Sequence, residues 1–151
     1  MLRQQFNDAL KAAMLSKDAK TVSCLRMVLA AVKDKDIAAR PKGQANGISN
    51  DEILSLLQSM IKQRRESIAL YEQGGRQDLV DQEQSEIVVI EKFLPTQMDE
   101  AEVSTVVSQL INELGASNIK DMGRVMAALK ERYTGRMDFA RAGVLVKSTL
   151  G

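Results

Sequence analysis

Histidine and tryptophan are absent from this 151-residue chain, cysteine occurs once and proline twice. Without histidine the chain lacks the commonest general acid–base, the usual partner of a serine or cysteine nucleophile and the commonest metal ligand. Cys24 alone cannot form an internal disulfide, and one cysteine cannot supply the Cys/His set of a zinc site. Set in an apolar helical stretch, it reads as a small buried hydrophobe rather than a reactive thiol. Neither G-x-x-x-x-G-K nor G-x-G-x-x-G occurs, so no glycine-rich phosphate cradle is expected. No apolar run approaches the roughly 18 residues that cross a bilayer, and Met1 to Leu10 has no apolar signal-peptide core. These gaps leave no catalytic residue, no metal, no cofactor and no membrane to expect, and they point to the cytoplasm.

What is present is the material of a helical bundle. Apolar residues make up 44% and aromatics only 3%, so a core must be built from Leu, Ile, Val, Met and Ala, which lose little rotamer freedom in helices. The apolar spacing is helical nearly throughout. A first segment, about Leu2 to Leu15, turns Phe6, Leu10, Ala13 and Met14 to one side. A second, about Ala19 to Ala39, buries Val22, Leu25, Val28, Leu29 and Val32. The stretch Arg40 to Ile48, with Pro41, Gly43 and Gly47, breaks the helix as a mobile loop. Ser49 with Glu52 predicts a capping box for a third segment carrying Ile53, Leu56, Leu57, Met60, Ile61, Ile68 and Tyr71. Gly74 and Gly75 stop it, and a fourth runs from about Gln77 to Leu94, closed by Pro95.

Pro95 marks the expected boundary between two domains, 1–95 and 96–151. Beyond it, Asp99 caps a fifth segment ending at Gly115. A sixth runs from about Ser117 to Arg132, with Ile119, Met122, Val125, Met126 and Leu129 inward. Asp138 caps a seventh, ending near Leu150. The expected fold is all-α, a four-helix N-terminal bundle followed by a small three-helix C-terminal bundle.

Charge is nearly balanced, +1 overall, which lowers the expectation of a dedicated nucleic-acid binder without excluding a local basic face. From Ala116 to Gly151 seven basic residues stand against three acids, a local +4, while the fifth segment carries Asp99, Glu100, Glu102 and Glu113. The last two helices could present a positive face to phosphates, or simply a solvated one. Glu83 and Glu86 on the fourth segment lack the Glu-x-x-His partners of a di-metal site, and pairing with Arg64 or Arg65, or plain solvation, accounts for them. Gly123 falls inside the sixth segment, where glycine costs about 1 kcal/mol against alanine. Close helix packing or close approach of a ligand backbone would explain it.

Asp121-Met-Gly-Arg-Val-Met-Ala-Ala-Leu-Lys130, then Tyr-Thr-Gly135-Arg136 and the closing helix, resembles the YqeY-like proteins. That family shares this unit with the tail of the B subunit of the tRNA-dependent Asp/Glu amidotransferase. Leu25-Arg-Met-Val-Leu-Ala-Ala31, Ile61-Lys-Gln-Arg-Arg-Glu-Ser-Ile68, Gly75-Arg-Gln-Asp-Leu79 and Glu86 through Phe93-Leu94-Pro95 are similar too, in order along the chain. The resemblance implies two helical bundles of four and three helices. It also implies a non-catalytic unit that helps hold tRNA, with the kinase and amidase chemistry elsewhere. Gly123, Val125, Met126, Lys130, Gly135 and Arg136 match the shared tail motif. Where the tail has a small residue and then Asn or Asp, this chain has Met137, Asp138 and Phe139. Some family labels describe a carbon–nitrogen ligase with glutamine as amido donor, an activity that the missing acid–base residues argue against.

Three functional readings follow. The preferred one is a tRNA-binding or tRNA-associated accessory module whose Lys120, Gly123, Arg124, Lys130, Arg132, Gly135, Arg136 and Lys147 meet the nucleic acid, reading backbone and shape rather than bases. The second is a protein-interaction adaptor using an exposed Ile61–Ile68 helix face with Arg64 and Arg65. The third is an auxiliary component of glutamine-dependent amidotransfer, with amidotransferase subunits as partners.

Overall fold

Side-chain caps fix where most of the helices begin. In the computed structural model, which describes residues 1–151, seven α-helices follow one another: α1 (Leu2–Leu15), α2 (Ala19–Ala39), α3 (Asn50–Gln73), α4 (Gln77–Glu91), α5 (Glu100–Leu114), α6 (Met122–Arg132) and α7 (Phe139–Leu150). There are no strands, and the fold is all-α as expected. Ser49 accepts from the Glu52 N–H at 3.2 Å while Glu52 reaches back to the Ser49 N–H, completing the capping box. Asp99 and Asp138 accept from the N–H groups of Glu102 and Ala140 at 2.8 and 2.9 Å. Asp18, not anticipated, caps α2 through the Thr21 N–H.

The chain forms two compact units, Met1–Leu94 and Pro95–Gly151. In the first, α1 packs along α2 and α3 along α4, with α2 touching both α3 and α4. Phe6, Leu25, Val28, Ile53, Leu57 and Ile90 are fully buried there. Phe93 lies past the end of α4 yet sets its ring edge against Phe6, centroids 4.8 Å apart. In the second unit α5, α6 and α7 pack pairwise around Val107, Leu110, Val125, Leu129, Ala142 and Val146.

Four expectations are corrected. Met14 is 53% exposed because Ala13, one position round the helix, takes the inward place. Val22 is only half-buried, Cys24 and Leu25 lying inside instead. Ile119 is largely exposed, because α6 does not start at Ser117. A short 3₁₀ turn, Ile119–Asp121, comes first, with Asn118 capping it through the Lys120 N–H. The stretch Arg40–Ile48 is tied down rather than loose. The Asp36 carboxylate accepts both terminal nitrogens of Arg3 at 2.7 Å and the Ile48 N–H at 2.8 Å, and Arg3 also donates to the Ile48 carbonyl. Gly47, at φ +90°, sits so close that a Cβ there would stand 2.5 Å from Asp36 Oδ1.

Candidate nucleic-acid interface

The basic residues of the second unit fall into two groups according to whether an acid or a carbonyl already holds them. Arg132 makes a paired contact with Glu113 of α5, at 2.9 and 2.7 Å. This fork-to-carboxylate geometry holds the exposed Glu113 carboxyl below the usual carboxylate range. Arg124 reaches back one turn to Asp121 at 3.2 Å. Arg136 donates from Nε to the Thr96 carbonyl at 3.0 Å. Lys120, Lys130 and Lys147 are exposed and make no ion pair. Arg141 belongs with these three although the sequence reading left it out of the site. Its position opposite the buried Ala142, Gly143 and Val146 was the available signal.

The turn between α6 and α7 is a built feature. Gly135 is buried at φ +78°, a left-handed backbone that favours glycine. Its carbonyl accepts from Gln97 Nε2 at 2.6 Å, and the Met98 N–H donates to the Arg136 carbonyl at 2.9 Å. The segment Thr96–Met98 is thereby clamped along the turn, and Met137 enters the core at 3% exposure. Gly135 therefore shapes the turn from inside, buried rather than on the exposed surface that Lys120, Arg124 and Lys130 share. The Met137–Phe139 departure from the family tail has a use: Met137 fills the core, Asp138 caps α7 and Phe139 packs on the same core.

Gly123 does not fit the explanation by close helix packing. It is the second residue of α6, exposed, and a Cβ on it would meet nothing within 4 Å. The glycine that does lie between helices is Gly143 of α7, buried, with the methyls of Met122 and Met126 3.7 Å from where its Cβ would be. The open side of α6 thus presents Gly123 and Ala127 between Arg124 and Lys130, with Glu131 beside them.

In the first unit the Ile61–Ile68 stretch is internal at Ile61 and Arg64 and exposed at Lys62, Gln63, Arg65 and Glu66. Ile61 is buried and Arg64 is 9% exposed. Arg64 Nε donates to Glu86 Oε2 at 2.9 Å, with Glu83 at 4.0 Å. Its other nitrogens reach the Met60 carbonyl and the Met27 sulfur. Arg64 is consumed in joining α3 to α4 and α2, so it offers no cation to a partner. Arg65 is exposed and pairs with Glu91 at 3.3 Å. The pairing expected between these arginines and the carboxylates of α4 is present. Cys24 is buried, and burial pushes its thiol up to about 11, well away from reactivity. No group of three or more acidic or sulfur side chains gathers as a metal site, and no helix is long and apolar enough to cross a membrane.

Comparison with known proteins places these features in a family. The chain is similar to "Altered inheritance of mitochondria protein 41, mitochondrial" of Lachancea thermotolerans, 36% identical over 72% of this chain and 57% of that protein. It is similar to the protein of the same name from Kluyveromyces lactis, 35% identical over 72% and 57%, and from Eremothecium gossypii, 36% identical over 56% and 44%. The chain spans about half the length of these curated relatives. The model of the family described as Yqey-like protein matches residues 3–150, and the chain belongs to that family.

Proposed function

We propose that this chain is a non-catalytic, tRNA-associated accessory module whose second unit meets the phosphate backbone. The observation that carries the reading is the segregation of charge within that unit. The acids concentrate on α5, while the stretch after it holds a local +4. Lys120, Lys130, Arg141 and Lys147 are exposed there without acidic partners. Arg132 and Arg136 are already occupied, so the contact set is narrower than the count of cations. The open backbone at Gly123 lets a phosphate come close to the first turn of α6, beside Lys120 and Arg124, where helix N–H groups favour negative charge. No aromatic ring is free to stack a base, since Phe139 packs on the core and Tyr133 is half-buried against it. Recognition would then rest on backbone and shape.

Binding to total tRNA across a salt series tests this. Four phosphate contacts give a slope of log affinity against log salt of about −3. The pair Lys130→Glu with Lys147→Glu is expected to weaken binding at least about tenfold at low salt and flatten the slope, while Lys33→Glu in the first unit leaves both unchanged. Equal affinity and slope for all three proteins would overturn the reading.

A further inference from the structure

The first unit carries a surface feature that the tRNA reading does not use. Where α1 turns into α2, an open groove of about 520 Å³ is lined by Met14, Lys17, Ala19, Val22, Ser23 and Arg26. Its floor is apolar, Met14 in its wall is 53% exposed, and the next residue along α1, Leu15, is 77% exposed. Lys17 and Arg26 make no ion pair. The one carboxylate in the turn, Asp18, is held by the N–H and hydroxyl of Thr21 at 3.2 and 2.7 Å. Lys20 and Lys92 lie close enough to add to the positive field around it.

The backbone adds an independent sign. Lys17 is the only residue other than glycine with positive φ, at +59°. The Asp18 N–H donates to the Ala13 carbonyl and the Lys17 N–H to the Met14 carbonyl, so Lys17 occupies the left-handed position that closes α1. Glycine or asparagine suits that position better. A lysine held there closes α1 at a conformational cost that glycine would not carry, and it stands on the wall of the groove without an acidic partner.

We propose that this groove docks an acidic amphipathic helix of a partner protein, whose apolar anchor residues enter over Met14 and Val22 while flanking Glu or Asp side chains meet Lys17 and Arg26. Charge complementarity selects the partner's sign, and methionine at the mouth adapts to differently shaped anchors. An RNA is disfavoured, because the floor is apolar and no ring lines it for stacking. The proposal is independent of the tRNA reading, which concerns the other unit.

The test uses the whole chain labelled with ¹³C at its methionine methyls, the Met14 signal being assigned through Met14→Leu. The probes are helical peptides with Leu, Met or Phe anchors and Glu flanks, their Lys-flanked twins, and vesicles containing phosphatidylglycerol. The Glu-flanked peptides are expected to move the Met14 signal and leave those of Met122 and Met126 in place. Lys17→Glu with Arg26→Glu should weaken them about tenfold and let the Lys-flanked twins bind. Lys17→Gly should raise the melting temperature yet weaken the Glu-flanked peptides about threefold, separating docking from folding. The proposal is overturned if no Glu-flanked peptide moves Met14, if both twins move it equally, or if only the vesicles do, which would make the turn a membrane-facing surface.

Discussion

Asp36 shows what one carboxylate can organise. It receives two bonds from Arg3 and one from the Ile48 N–H, and so ties α1, α2 and the entry to α3 together. The Arg3 hydrogen bonds, more than the burial that opposes them, bring its carboxyl down to about 2 from an ordinary 3.8. A group whose folded pKa is depressed contributes stability that is present above its unfolded pKa and is lost as pH falls through the folded one. The contribution is therefore expected to be complete above pH 3.8 and to disappear toward pH 2. Asp36 is 17% and Arg3 39% exposed, so solvent screening reduces it to about 1 kcal/mol. Asp36→Asn should lower the stability by about that amount at pH 7 and leave the acid limb of the denaturation profile shallower between pH 4 and 2. A variant with an unchanged acid limb would mean that Asp36 does not hold the stretch. The sequence showed Pro41, Gly43 and Gly47 as breakers and hence a loose loop. The clasp was not legible, because Arg3 and Asp36 are 33 positions apart and nothing in either neighbourhood marks the other.

At the scale of elements, periodicity and caps were enough for seven helices, since Ser49, Asp99 and Asp138 each act within three residues of themselves. They failed where packing decides. Ile119 has the helical spacing of α6 but sits in a 3₁₀ turn, and Phe93 packs on the core after α4 has ended. The Arg64 cluster lies between these cases. Its partners on α4 were foreseeable from the surplus of carboxylates there, but its burial was not, because an arginine among Gln63, Arg65 and Glu66 reads as surface. Burial, and then Glu86, push the Glu83 carboxyl up, and Arg64 restrains it. Arg64→Ala leaves two carboxylates facing one another near the bundle interior, and should cost about 3 kcal/mol at pH 7. The raised Glu83 carboxyl sets the sign of the pH dependence: a group with a raised folded pKa takes up a proton more readily when folded, so stability is regained as pH falls. The deficit of Arg64→Ala in urea denaturation is thus expected to be smaller at pH 5 than at pH 7. A deficit that is the same at both values would assign the loss to packing of the arginine stem alone.

For the whole molecule, the total of +1 conceals the feature that matters. Summing charge by segment exposed the basic tail, but a sum treats every cation alike. It could not tell Lys130, which is free, from Arg132, which is held by Glu113, or from Arg136, turned toward Thr96. Those pairings join residues 19 and 40 positions apart. They depend on how α5 and the segment before it pack against α6 and the turn after it, which spacing does not reveal. Glu113 therefore acts as an internal competitor for any phosphate that approaches Arg132. Glu113→Gln removes one negative charge and frees a guanidinium fork suited to phosphate oxygens. If tRNA meets this side of the second unit, the variant should bind more tightly at low salt, and the salt slope should steepen by about one. The exposed Arg132–Glu113 pair contributes little to folding, so the melting temperature should barely move, and the gain can be read without a stability correction. A variant that gains nothing while Lys130→Glu still loses affinity would confine the contact to the open side of α6 around Gly123 and Lys130. A gain by Glu113→Gln would extend the contact round the helix to the α5 edge.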